Sequence, residues 1–468
     1  MNPEQKVLNR IIKKCKNSKY LSNFLIKNFS LEEFRNKVPV VTYSDIEPFI
    51  NRAYNGEKNI FSKDKILIWG MTSGTTGKPK LIPHTKNSLK LYKRKMNSFF
   101  LKLIWNNPTI IKGKILILTG RYCNWKSPKG LVVGSISGIM SSKIPSLFSN
   151  HVLYNPIELD KISDDKRFSN IAKKTLKENI SMIASSSATY LLGFFEEIKS
   201  ISKKEIKDIW PNLKIISCPC GGHYRDQIDE ISKILPNVKI IDTGLGSTEG
   251  YFFVSEGGRE TIGVPHRKDY LIELLDSKTK KVLTIDETDL NKTYELVIST
   301  INGILRYRIG DYVQVIKRKN KILLKFVDKK LSEISIFGER MTQIQLTDSF
   351  STVKKKYNLE KNKFIFIAPS KDSNYNRFYL IISLTKKLDL KNIQEEIENQ
   401  LQNNNINYKN IRIMTKLLKS LKINVVSEKI FNQIEKEVYK NKFLGQGRKK
   451  EVYIPENTKF YKQFLTNE

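Results

Sequence analysis

The chain is poor in acid: 82 lysines and arginines face only 47 aspartates and glutamates over 468 residues, for a formal net charge of +35. It is poor in cysteine as well. Cys15, Cys123, Cys218 and Cys220 are too few and too scattered to make a disulfide framework. No run of ~18 apolar residues occurs, so no membrane span is expected. Residues 1–20 are rich in lysine and lack the apolar centre of a secretory signal. These absences fit a reducing, cytoplasmic setting. No internal repeat is visible. A hydrophobic content of 40% allows sizeable cores, and the length suggests roughly two to three domains.

So large a positive charge can mark a nucleic-acid binder. Here lysine accompanies asparagine and isoleucine along the whole chain, which reads as coding bias from an AT-rich genome. No module interleaves aromatic and basic residues. Nucleic acid is therefore not expected as a partner, nor, without a spanning apolar run, is a membrane.

What the chain does have begins at Ile66-Leu67-Ile68-Trp69, an apolar run that reads as a buried strand. It leads into Met71-Thr72-Ser73-Gly74-Thr75-Thr76-Gly77-Lys78-Pro79-Lys80. Glycines let backbone amides approach an anion, hydroxyls donate hydrogen bonds and lysines supply charge, a combination that suits a polyphosphate. The loop is not a Walker loop. Only two residues separate Gly74 from Gly77, and Pro79 follows Lys78 where Ser or Thr belongs. Pro79 also keeps Lys78 out of a helix.

The surrounding order is strand, glycine loop, helix, strand. Strands are expected at Ile115-Leu116-Ile117-Leu118, within residues 130–138, at Ile180-Ser181-Met182-Ile183-Ala184, at residues 213–218 and at Val238-Lys239-Ile240-Ile241. Helices are expected over residues 87–103, 168–178, 189–200 and 225–235, and over 46–54 with Ser44 or Asp45 as its cap. This is the grammar of an α/β sheet, whose ligands sit beyond the carboxyl ends of the strands.

Two further stretches carry chemistry. Gly244-Leu245-Gly246-Ser247-Thr248-Glu249-Gly250 fails as a dinucleotide fingerprint, because glutamate stands where the last glycine belongs. As a nucleotide loop it offers hydroxyl donors and, in Glu249, a hard oxygen ligand for magnesium. Gly303-Ile304-Leu305-Arg306-Tyr307-Arg308-Ile309-Gly310-Asp311 lies between two expected strands, 294–298 and 312–316. Asp311 either serves its glycine turn or accepts hydrogen bonds from ribose hydroxyls. Cys218, Cys220 and His223 lie close together, but no fourth zinc ligand is evident. His84 reads as structural, and Tyr190 and Ser137 as acyl-pocket or core residues.

Together, in this order, the stretches resemble the adenylate-forming superfamily and, within it, the auxin-responsive Gretchen Hagen 3 family of acyl-acid amido synthetases. The resemblance extends from about Val38 to Asp311. It also takes in Val38-Pro39, Tyr43, Trp210-Pro211-Asn212, Cys218 with Gly221-Gly222, and Tyr294-Glu295-Leu296-Val297. It implies a large multi-sheet α/β adenylation domain, residues 1–328, and a smaller mobile α+β cap, residues 329–468, acting as a monomer. It implies ATP and Mg2+, a small-molecule carboxylic acid activated as its acyl-adenylate, and an amine, typically an amino acid, that displaces AMP. The same adenylation with coenzyme A as acceptor is the alternative. Carried over, Thr72, Ser73, Gly74, Thr75, Thr76, Gly77 and Lys78 hold the phosphates, with Ser247 and Thr248 beside them. Glu249 holds the metal, Asp311 the ribose, and Gly221 and Gly222 lie against adenine or the acyl group. Leu245 stands where an aromatic residue often stacks on adenine. Lys449 or Lys450, beside Arg448, stands near the lysine that reaches the site when the cap closes, and Lys329 lies near the hinge.

Overall fold

A computed structural model describes residues 3–26, 29–72, 80–144, 146–256, 258–329, 334, 341–369, 375–384, 388–405, 408–409, 412–413, 418–439 and 452–453. The chain divides into two compact units, one comprising Met1–Asp328 and the other beginning at Lys329. It is a mixed α/β protein with several sheets.

The first unit contains a parallel sheet of Lys114–Leu118, Ile180–Ser185, Ile215–Cys218 and Lys239–Asp242, in that spatial order. Every residue of Ile180–Ser185 is buried, as a strand covered on both faces must be. Ala188–Ser202 lays Leu191, Phe194 and Phe195 on one face. Lys86–Asn106 lays Phe99 and Leu103 on the other, against Ile115, Met182, Ile215 and Ile241. The strands therefore end together, and the loops at 119–120, 186–187, 219–222 and 243–244 emerge from one edge of the sheet.

A second sheet runs in the order Leu81–Thr85, Ile66–Met71, Val132–Ser135, Trp125–Lys126. Ile66–Met71 pairs antiparallel with Leu81–Thr85 and parallel with Val132–Ser135. The expected strand and turn at 130–138 are the strand Val132–Ser135 and the helix Ile136–Ser141, with the Ser135 hydroxyl accepting from the Gly138 amide. A third sheet has six strands in the order Ile262–Gly263, Lys321–Lys329, Tyr307–Arg318, Thr293–Ser299, Leu271–Leu275, Val282–Thr284.

Two expectations are corrected. The helix Tyr43–Tyr54 starts before Ser44, with Thr42 at its N-cap. Asp45 works from inside the first turn, where its carboxylate accepts from the Thr42 amide at 2.7 Å and the Thr42 hydroxyl at 2.8 Å. Asp311 does not follow a turn between strands. The strand already begins at Tyr307, and Asp311 sits within it at a bulge: three residues, 309–311, stand opposite Leu296 alone, with Gly310 at φ 79°.

The second unit is an α+β layer of its own. Its sheet runs Lys422–Val426, Tyr379–Ser383, Phe364–Ile367, Val452–Tyr453. The helices Gln343–Lys356 and Leu390–Asn404 bury Phe350, Ile397 and Leu401 against Phe366 and Leu380. Glu428–Tyr439 covers the other face with Phe431, Ile434 and Val438.

Candidate active site

The hairpin Ile66–Met71 and Leu81–Thr85 brings both ends of the hydroxyl-rich loop to one place. The Thr72 amide donates to the Lys80 carbonyl at 3.0 Å, and the Lys80 amide to the Thr72 hydroxyl at 3.3 Å. Ser73, Gly74, Thr75, Thr76, Gly77 and Lys78 lie outside the described residues, as do Arg448, Lys449 and Lys450. Lys329 ends its strand, and its side chain too is outside them.

The Ser-Thr-Glu stretch is a closed turn. The Ser247 amide donates to the Gly250 carbonyl at 2.8 Å, and the Ser247 hydroxyl donates to the Glu249 carboxylate at 2.7 Å. Glu249 is buried. This turn lies directly against the strand that feeds the loop. The Thr248 hydroxyl donates to the Met71 carbonyl at 3.5 Å. A Cβ on Gly70 would stand 2.6 Å from Thr248 Cγ2 and 2.9 Å from His84 Nε2, so only glycine permits the approach.

His84 secures the contact. Its Nε2 lies 3.0 Å from the Thr248 carbonyl, which can only accept, so the proton is on Nε2 and Nδ1 accepts from the Ser88 hydroxyl at 3.3 Å. Burial pushes the imidazole down to about 4, against the opposing hydrogen bond to Thr248, and the ring is neutral.

Asp311 is fully buried. It and Glu249 act on one phenol. The Tyr307 hydroxyl is held well above its ordinary value, first by burial, then by Glu249, Tyr43 and Asp311. Tyr43 is also raised, first by burial, against the hydrogen bond it accepts from the Leu81 amide at 2.9 Å, and then by Glu47 and Glu249. The Lys80 ammonium stands 5.4 Å from the Tyr43 ring centre, a cation–π contact. The fold thus gathers Thr72, Lys80, Thr248, Glu249 and Asp311 around Tyr43 and Tyr307.

Gly221 and Gly222 end a strand of the parallel sheet and have a packing reason of their own. A Cβ on Gly221 would meet the Thr261 hydroxyl at 2.5 Å and the Phe326 ring at 3.0 Å. Gly222 has φ 61° and abuts the same ring. Their loop is tied to the Ser-Thr-Glu loop by Asp242. Its carboxylate accepts from the Cys220 amide and the Thr261 hydroxyl at 2.7 Å each, and from the Gly244 amide at 2.6 Å. Burial raises Asp242 to about 6 despite these three bonds.

Other candidates are packing residues. Leu245 is buried in the main core, paired with Phe253. The Cys220 thiol donates to the Cys218 carbonyl, both residues are buried, and the described residues contain no cluster of three or more metal-ligating side chains. Tyr190 meets Phe168 edge to face at 4.6 Å in the core. The Ser137 hydroxyl lies 3.3 Å from that of Ser135. Arg306 and Arg308 hold the frame. Arg306 pairs in bidentate fashion with buried Glu273, and Arg308 does so with Glu295.

Sequence reasoning missed Asp242, Lys80 and Tyr307 as parts of the site. Lys80 and Tyr307 lay inside stretches already singled out. Asp242 gave no signal beyond closing a strand. As for magnesium, the donor chemistry fits: Glu249 offers one buried carboxylate, and Mg2+ is commonly held by one or two carboxylates with substrate phosphates completing the shell.

Three family models match the chain: the GH3 family N-terminal domain over residues 2–168, the central domain over 260–329 and the C-terminal domain over 345–456. The 4-substituted benzoates-glutamate ligase GH3.12 of Arabidopsis thaliana is 23% identical over 419 residues, covering 75% of this chain and 72% of its own. The jasmonoyl–L-amino acid synthetase GH3.5 of Oryza sativa subsp. japonica is 22% identical over 425 residues, 73% of each chain. Among solved structures, the GH3.15 acyl acid amido synthetase superposes with a TM-score of 0.82 at 19% identity, over 99% of this chain and 92% of that one. The fold is that of the acyl-activating class. The chain belongs to the GH3 family.

Proposed function

We propose that this chain is an ATP-dependent acid–amino acid ligase. A carboxylate oxygen of the acid attacks the α-phosphorus of ATP and pyrophosphate leaves. The neutral amine of an amino acid then attacks the acyl carbon, the C–O bond to AMP breaks with its electron pair going to AMP, and the nitrogen gives up a proton to solvent as the amide forms. The observation that carries the reading is the bonding of the Thr248 turn to Met71, the residue that feeds the hydroxyl-rich loop. It supports one site made from stretches far apart in sequence. The amide-forming names of the relatives support the acceptor.

Within that site Lys80 and the loop from Thr72 offset the phosphate charges, because two unit charges 4 Å apart repel by about 4 kcal/mol at an effective dielectric of 20. Glu249 would hold Mg2+, whose Lewis acidity at a phosphoryl oxygen is the chemistry that ion supplies when bound. Asp311 accepts from the ribose hydroxyls. Gly221 and Gly222 border the acyl or adenine space. Tyr43 and Tyr307, held protonated, donate and do not act as bases. The four cysteines are unbridged, which supports a cytoplasmic setting.

Incubation of the purified protein with ATP, magnesium, mixed carboxylic acids and mixed amino acids, followed by mass spectrometry, tests this. Acyl–amino acid conjugates with stoichiometric AMP are expected. AMP release that depends on coenzyme A and not on amino acid would instead mark a thioester-forming ligase.

A further inference from the structure

Residues 65–157 contain fifteen lysines and arginines and no aspartate or glutamate. At the chain's overall frequency about nine carboxylates would be expected there. Lysine is no richer in this stretch than elsewhere, so the excess charge arises from missing acid. Coding bias toward lysine does not produce that. The hydroxyl-rich loop has its own reason to exclude carboxylates, but the outer face of the helix Lys86–Asn106 has none.

That helix turns Phe99 and Leu103 onto the parallel sheet, while Leu101 and Trp105, one turn apart, face outward. Trp105 is 86% exposed, more than any other described large apolar side chain, and Leu101 is 53% exposed. In the turn Pro108–Lys112, which packs on the helix, Ile110 is fully buried and Ile111 is 44% exposed. Lys102 and Lys112 are exposed beside this apolar tip and make no ion pair among the described residues. Arg94 and Lys95, one face further round, are already matched by Asp269.

We propose that this tip docks the protein on the surface of an anionic lipid bilayer. An indole flanked by two aliphatic side chains and two ammonium groups without ion pairs among the described residues matches the acyl boundary below and the acidic headgroups above. Nucleic acid would use the indole and the lysines but gain nothing from exposed leucine and isoleucine. A second copy of so basic a chain would be repelled. The protein lies on the bilayer and does not cross it, since no described helix is long and apolar enough to span. The expectation that membranes are not a partner rested on the lack of a spanning apolar run, which bears on crossing a bilayer and not on binding its surface.

The test is flotation of the full-length protein with vesicles of phosphatidylcholine alone, or with a third phosphatidylserine, at physiological salt. Binding to the anionic vesicles only is expected. Trp105→Ser with Leu101→Ser should lower the partition by about tenfold, and Lys102→Glu with Lys112→Glu by about as much. Amide formation in solution should be unchanged in both, which separates this proposal from the ligase reading. No flotation with anionic vesicles, or flotation indifferent to both double variants, would overturn it. So would capture by RNA or an acidic protein that competes the vesicles away and ignores Trp105→Ser.

Discussion

Nε2 of His84 donates to the backbone carbonyl of Thr248 across 164 residues of sequence. One neutral imidazole thus pins the Ser-Thr-Glu turn to the hairpin that carries the phosphate-loop residues, and the precision of the site depends on it.

Its titration gives a pH signature. In the unfolded chain His84 titrates at its ordinary 6.5, and in the folded chain at about 4. Between those values the unfolded state binds more protons, so stability rises with pH through the window, by at most about 1.4 kcal/mol per pH unit, and is flat above it. Asp242 opposes this: its folded value of about 6 exceeds the ordinary 3.8, so its contribution falls as pH rises from about 4 to 6. Urea unfolding of wild type and His84→Gln across this range isolates the histidine. The difference between them should climb with pH to about 6.5 and then level off. A difference independent of pH would show that the ring is not buried neutral.

Glu249→Gln keeps the volume and the hydrogen bond from Ser247 but removes the charge. Acid-dependent pyrophosphate release should fall by about a hundredfold, with the thermal midpoint unchanged. Turnover at the wild-type rate would remove Glu249 from the metal site.

Asp311 is tested by Asn, which fits the same buried space, alongside Ala. Both should raise the KM for ATP by about tenfold, the worth of a charge-assisted hydrogen bond, and leave the KM for the acid nearly unchanged. Equal changes in both constants would indicate a general loss of fold instead of a ribose contact.

Arg306 tests the frame. Arg306→Met leaves the Glu273 carboxylate, 1% exposed, with only the 3.4 Å contact to Arg35 among the described residues, and strips a donor from the Arg35 and Val38 carbonyls. Chemical unfolding should report a loss of about 3–5 kcal/mol, much of it recovered in Arg306→Met with Glu273→Leu. A loss below about 1 kcal/mol would mean that the pair is solvated.

The parallel sheet was legible because strands buried on both faces are unbroken apolar runs, as in Ile180–Ser185, and because their glycine loops interrupt the pattern cleanly. The cap at Thr42 was misread because Ser44 and Asp45 are equally good capping residues, and only backbone geometry chooses among three neighbours. Asp311 was misplaced because a glycine next to an aspartate signals a turn in sequence, while a bulge needs the partner strand to be recognised. The glycines at 221 and 222 invited a ligand, and they also answer a packing need that only the fold reveals: Phe326, over a hundred residues away, stands 3.0 Å from where their Cβ atoms would be. Asp242 could not be found at all, since its three hydrogen-bond donors come from separate segments.

The bulge opposite Leu296 has a genetic consequence. Asp311, Val313 and Val315 face inward, while Tyr312, Gln314 and Ile316 are only half-buried. The three bulged residues span the place of one, so the strand keeps its parity across them. Deleting the codon for residue 309 or 310 would leave two residues opposite Leu296, an ordinary bulge that keeps the pairs on either side, and deleting both would return the strand to an unbroken ladder. The aspartate can therefore keep its inward face through either shortening.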